Sequence, residues 1–281
     1  MKRGQMPGGE KSFAESAIPL ILIAVLLVFI AGKIGLVDLS GVPVIGSLFP
    51  KPLVKVAVLG RSSLEMKELL SAEDYKMSGI YYQGDLPPEV ILFSGALSSY
   101  DVVILQGVKE CDRKTRRAVA DFVKSGKKLI VIGDACTKVP DDPSILGWDF
   151  AGLGEVMPVE YAGVIGHTIT SRRIPSPVGE FKIVMPDHPI LPGAQLNYPF
   201  YGSLFDVVPS HKVNFDILAI VTNYDGKSKI GTTTLAVVES KGWFGGKTIY
   251  FAFDPASTAQ RSGGRGRNIL LNTFMYLRGS K

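Results

Sequence analysis

Two cysteines and three histidines are all this chain has for building a thiol nucleophile and its base. A cysteine attacks as its thiolate, so it needs a neighbouring base or cation. Cys136 follows a short apolar run. Of His167, His188 and His211, only His188 stands where a ring can be oriented, in Asp187-His188-Pro189-Ile190. Cys136 with His188 is therefore the one catalytic pair on offer. Against it stands the plainer expectation that Asp187 and His188 satisfy backbone donors in a loop at a sheet edge.

Cys111 and Cys136 each come a few residues after an apolar run. If those runs are neighbouring parallel strands, about 4.8 Å apart, both thiols hang over one carboxyl edge within bridging distance. A disulfide there would quench Cys136 as a nucleophile; two buried free thiols are the alternative. Two cysteines are too few for a disulfide framework or a zinc site.

A second chemistry is anion binding. Arg261-Ser-Gly-Gly-Arg-Gly-Arg267 precedes an apolar helix whose N-cap is expected at Asn268. Glycine backbone, a helix N-terminus and arginine forks together suit a phosphate or carboxylate, so Arg261, Gly264, Arg265, Arg267 and Asn268 form a possible anion site. A solvated connector is the alternative. Asp134, Asp141 and Asp142 suit a divalent cation poorly, since adjacent carboxylates before a proline make a turn. No metal and no cofactor are expected.

The elements around these residues begin with an apolar run. Ala17 to Gly32 holds no charge, and with 34–37 it makes a stretch interrupted only by Lys33. A bilayer core needs about 20 helical residues, so residues 17–37 read as a single transmembrane anchor. A cleaved signal peptide or a buried helix are its rivals. Residues 1–16 form a tail with three Lys or Arg, and the stretch after the run, to Pro52, holds two. That bias puts the N-terminus in the cytoplasm and the globular part outside a cell membrane. Residues 38–52, rich in Pro and Gly, are a connector to an α/β domain at 53–281.

Charge excludes one partner class. The chain has 31 basic and 26 acidic residues, interleaved rather than gathered into the basic face that nucleic acid requires. The bilayer and a protein or a carbohydrate remain as partners.

Within the domain, Leu53–Leu59, Tyr75–Tyr82, Asp101–Leu105 and Lys128–Ile132 read as strands. They alternate with a helix capped by Ser62 or Ser63 and an amphipathic helix capped by Asp112 and ending at Gly126. Such alternation predicts right-handed crossovers and a doubly wound, mostly parallel sheet, flavodoxin-like in order. Further strands are expected at Phe181–Val184, Phe215–Thr222, Thr232–Glu239 and Thr248–Phe253, the last two as an antiparallel hairpin at one edge. Asn268–Leu277 closes the chain as a helix.

Four segments in this order resemble the class I glutamine amidotransferase-like superfamily: YDVVILQG from Tyr100, AVADFVKSGKKLIVIGDA from Ala118, DHPIL from Asp187 and GGKTIYFAFDP from Gly245. The resemblance is nearest to the noncatalytic ThuA-like branch and the related domain of an oligosaccharyltransferase subunit. It implies that a nucleophilic Cys would stand in a Gly-x-Cys-x-Gly turn after KLIVI, followed by His-x-Glu after the last strand. Here the turn reads Gly133-Asp134-Ala135-Cys136-Thr137-Lys138, the Cys displaced and the second Gly absent. Phe253-Asp254-Pro255 stands where the His should be. A membrane-anchored, noncatalytic binding or scaffold domain is the expectation, working from the carboxyl edge of its sheet. A tethered cysteine hydrolase using Cys136, and an accessory subunit of a transporter or glycosyl-transfer complex, are the alternatives.

Overall fold

A computed structural model describes residues 13–33, 53–91, 94–162, 179–191, 197–200, 204–223, 232–242, 245–257 and 265–279. The chain divides into two units, Met1–Leu53 and Val54–Lys281.

In the first unit, α1 (Phe13–Lys33) contains Pro19 and leaves apolar side chains such as Leu20 and Leu22 well exposed. Among the described residues, however, no helix is long and apolar enough to cross a membrane. The expected transmembrane span is therefore not supported by the structure and rests on the sequence.

The second unit is a mixed α/β fold. β1 (Val54–Gly60) is followed by α2 (Leu64–Ser71), α3 (Glu73–Met77) and β2 (Ile80–Leu86). β3 (Val102–Gln106), α4 (Arg113–Lys124) and β4 (Lys128–Ile132) come next. Two short pairs follow, β5 (Lys138–Val139) with β6 (Asp142–Leu146), and β7 (Val159–Tyr161) with the later β10 (Val207–Pro209). The remaining elements are β8 (Gly179–Ile183), β9 (Asn197–Phe200), β11 (Phe215–Asn223), β12 (Thr232–Ser240), β13 (Lys247–Phe251) and α5 (Arg265–Gly279).

Nine strands form one sheet in the order β2-β1-β3-β4-β13-β12-β11-β8-β9. The first five are joined in parallel and the other four by antiparallel pairings, with β11 and β9 sharing the direction of the parallel five. β3 and β4 are buried at every position, as a sheet covered on both faces requires. The chain moves from β1 outward to β2 but from β3 inward to β4. Right-handed crossovers therefore put α2–α3 and α4 on opposite faces.

Both helix caps follow the sequence. Ser63 Oγ accepts from Met66 N at 3.2 Å, and Asp112 Oδ1 accepts from Thr115 N at 2.7 Å. α4 turns Ala118, Val119, Phe122 and Val123 into the core.

Two expectations need correction. The segment expected as a strand at Tyr75–Tyr82 is split: Tyr75 lies in α3, fully buried with its ring edge-on to Phe274 of α5, and β2 starts at Ile80. Gly79, at φ +77, breaks the run between them. The hairpin of β12 and β13 is not at an edge. β13 inserts beside β4, and three more strands lie beyond β12. Thr248, Ile249, Tyr250 and Phe251 are all buried, so β13 needs a neighbour on each side and a layer on each face.

Candidate functional site

The direction of travel along the sheet reverses between β1 and β3, and that is where open α/β sheets leave a crevice beyond their strand ends. Each strand here hands over to a glycine. Gly60 has φ +116 and Gly107 φ +66. A Cβ on Gly60 would stand 2.3 Å from Gln106 O, and one on Gly107 2.1 Å from Arg61 O. Only glycine lets the two loops meet backbone to backbone, with Arg61 N donating to Gln106 O at 3.0 Å.

Above this junction opens a cavity of about 560 Å³, the size of a small-ligand site. Arg61, Glu89 and Glu110 line its mouth, with Pro88, Val108 and Thr115 among its walls. Beside it Asp85 gathers three partners: Ser62 Oγ at 2.6 Å, Tyr82 OH at 2.5 Å and Lys67 Nζ at 3.0 Å. Burial would raise this carboxyl, but the three donors hold it below the ordinary range. Burial and the same carboxylate push the Tyr82 phenol up to about 12.

A second polar group spans three strand ends. Asp254 Oδ2, just after β13, accepts from Ser63 Oγ at 3.0 Å and from Gln106 Nε2 at 2.9 Å. Burial raises the Asp254 carboxyl above its ordinary value. Gln106 Oε1 is buried without a hydrogen-bond partner.

The turn after β4, the place of the nucleophile in the resembling family, is occupied differently. It enters the left-handed region at Gly133, φ +64, where a Cβ would come within 2.5 Å of the Phe205 ring. Cys136 follows at φ +56, buried, with its N–H donating to Val108 O at 2.7 Å. It is bonded to Cys111 in a disulfide, their Cα atoms 4.9 Å apart.

His188 is not brought to Cys136. Its Nε2 lies 3.0 Å from Glu239 Oε2, in a buried cluster where Lys247 Nζ at 2.8 Å and Tyr276 OH at 2.7 Å also meet Glu239. Lys247 is paired with Lys128 at the amino ends of β13 and β4, whereas Cys136 lies beyond the carboxyl end of β4. The cysteine–histidine pair is thus separated by the length of the strands. His211 is exposed beside Glu160, and His167 lies outside the described residues.

Arg261 and Gly264 also lie outside the described residues. α5 starts at Arg265, so Asn268 is inside the helix, exposed, rather than its cap. Arg267 grips Asp74 Oδ2 through Nη2 at 2.6 Å and Nε at 3.1 Å, holding that carboxyl below its ordinary range. Asp142 Oδ1 accepts from Ser144 N at 3.1 Å in a local turn, and Asp134 pairs with Lys109 at 3.0 Å. Among the described residues no group of three His, Cys, Asp or Glu is placed to hold a metal ion.

Sequence reasoning placed the site at the carboxyl edge but named none of Gly60, Arg61, Gly107 or Glu110. The signal was a glycine closing each of β1 and β3. Phe205 had no signal, because its place over Gly133 is a tertiary contact.

No protein-family model matches the chain, and no curated protein matches it significantly. Solved structures do. A ThuA-like protein from Bacteroides uniformis aligns with TM-score 0.54 at 12% identity, covering 82% of this chain and 93% of that one. The β-galactosidase of Bacillus circulans aligns with TM-score 0.50 at 15% identity, over 81% of this chain but only 31% of that chain. A glutamine amidotransferase from Thermotoga maritima is also found, with TM-score 0.49 and 10% identity over 81% and 99%. At such identities the likeness is one of fold: the domain shares its α/β architecture with the ThuA-like protein.

Proposed function

We propose that the α/β domain is a noncatalytic binding module, held at a membrane by the N-terminal apolar segment and offering the crevice between β1 and β3 to a protein or carbohydrate partner. The observation that carries this is the turn after β4. Gly133 has no side chain there, the Phe205 ring fills the space one would take, and Cys136 is buried in a disulfide. A bridged sulfur is not a thiolate, and the one histidine suggested as its base belongs to another cluster. The open crevice, in contrast, keeps Glu89 and Glu110 exposed at its mouth. The tether is supported by the uncharged run from Ala17 to Gly32 and by the exposed apolar side chains of α1. The charge bias around that run favours an outward-facing domain.

The test begins with full-length protein purified from its native membrane. A stoichiometric partner is expected, and the variant Glu89→Lys with Glu110→Lys should lose it while melting at an unchanged temperature. Purified protein should release no ammonia from glutamine. Ammonia release abolished by Cys136→Ser would restore the hydrolase. Protease should reach sites after Pro52 from outside intact cells; cutting only after permeabilisation would reverse the orientation.

A further inference from the structure

The wall of the crevice that follows β3 is held by an arrangement with opposing parts. Gly107, Val108, Glu110 and Asp112 all line the cavity, and Cys111 stands among them. From Cys111 the bridge reaches Cys136 on the turn after β4, 25 residues on in sequence. Alongside it runs a short ladder: Cys136 N to Val108 O at 2.7 Å, Lys138 N to Lys109 O at 2.9 Å and Cys111 N to Lys138 O at 3.0 Å.

Two features of the same region work against closure. Cys136 is held at φ +56, a conformation that costs a non-glycine residue free energy. Arg116 is completely buried; it donates from Nε to Cys111 O at 3.2 Å and from Nη1 to Gly147 O at 2.9 Å, while Nη2 has no hydrogen-bond partner. No carboxylate pairs with it among the described residues, so the guanidinium gains hydration whenever the wall opens.

We propose that the Cys111–Cys136 bridge is a redox-controlled staple of the crevice, which fixes its wall when oxidised and frees it when a dithiol opens the bond. This rests on the crevice being the binding site proposed above. The chemistry is thiol–disulfide exchange: one thiolate of the dithiol attacks a bridge sulfur and the other cysteine leaves as a thiolate. The second thiol of the reagent then displaces the first cysteine, closing the reagent's own disulfide and leaving both cysteines reduced. Released, residues 107–112 and 135–147 relax from the strained turn and the buried charge, while the sheet beneath stays folded.

Amide hydrogen exchange on the full chain tests this, with dithiothreitol as the reductant. The dithiol should open the bridge in the native protein, and exchange in 107–112 and 135–147 should rise about tenfold or more while β1, β3 and β4 keep their protection. The variant Cys111→Ser with Cys136→Ser should show the same local pattern without reductant. A bridge that resists the dithiol in the native protein, wall exchange unchanged in both preparations, or faster exchange through the whole sheet would each overturn the staple. No ligand enters the experiment, so its failure is distinct from failure of the crevice, which the loss of partner in the charge-reversed variant tests.

Discussion

Two regions of the domain gather polar side chains, and they are built to opposite ends. Around Glu239, only 4% exposed at its side chain, His188, Lys247 and Tyr276 converge from a loop, β13 and α5, and the carboxylate they share is buried. At the ends of β1 and β3 the charged groups Arg61, Glu89, Glu110 and Asp112 are exposed, and the junction between the loops is glycine backbone. The difference teaches that density of charge does not mark a binding site here. The closed cluster ties the last helix and the loop at His188 to the antiparallel strands, whereas the crevice has room for a ligand because backbone, not side chain, fills its floor.

The contrast can be broken first at its closed end. Glu239→Ala should strand Lys247 and cost about 3–5 kcal/mol, the usual loss when one partner of a buried charged group is removed, read by urea denaturation. A loss below about 1 kcal/mol would show that the cluster is not what holds α5. pH examines the same group. Burial would raise the Glu239 carboxyl, but His188, Lys247 and Tyr276 hold it below its ordinary value of 4.5. Its contribution is therefore present above pH 4.5 and is lost as pH falls through the depressed value. Acid unfolding curves of wild type and variant should converge there.

At the open end the effects descend. Removing the bridge with Cys111→Ser and Cys136→Ser should cost about 3–4 kcal/mol by the loop-entropy estimate for a 25-residue separation. Gly107→Ala should cost about 1–3 kcal/mol, because the new methyl would stand 2.1 Å from Arg61 O at a positive φ. Glu110→Lys should change stability by less than about 0.5 kcal/mol, as an exposed residue would, and yet weaken partner capture. Arg267→Gln should lower stability by less than about 1 kcal/mol, since its pair with Asp74 is partly solvated.

Much of the parallel half was legible beforehand. Buried β-branched runs, the Ser63 and Asp112 caps and the amphipathic period of α4 are local signals that tertiary contacts reinforce. Tyr75 was misread because an aromatic next to a strand suits either element, and Gly79 breaks the run in a way that spacing does not reveal. The candidate site was legible only as an edge. A Gly after each strand says that loops turn there, but not that Gly60 and Gly107 bring those loops into contact.

By itself, then, the sequence determined the alternation of strands and helices, the helix caps, the apolar N-terminal run and the departure of the turn after β4 from a nucleophile motif. All but the last, which rests on the resemblance to a family, follow from residue type and spacing along a few turns of chain. Only the tertiary structure decided that β13 enters the middle of the sheet, that Phe205 covers Gly133, that His188 belongs to Glu239 rather than Cys136, and that Arg116 is buried beneath the bridge. Each of those depends on residues tens of positions apart in sequence packing against one another, and local pattern carries no record of which distant surface will be there.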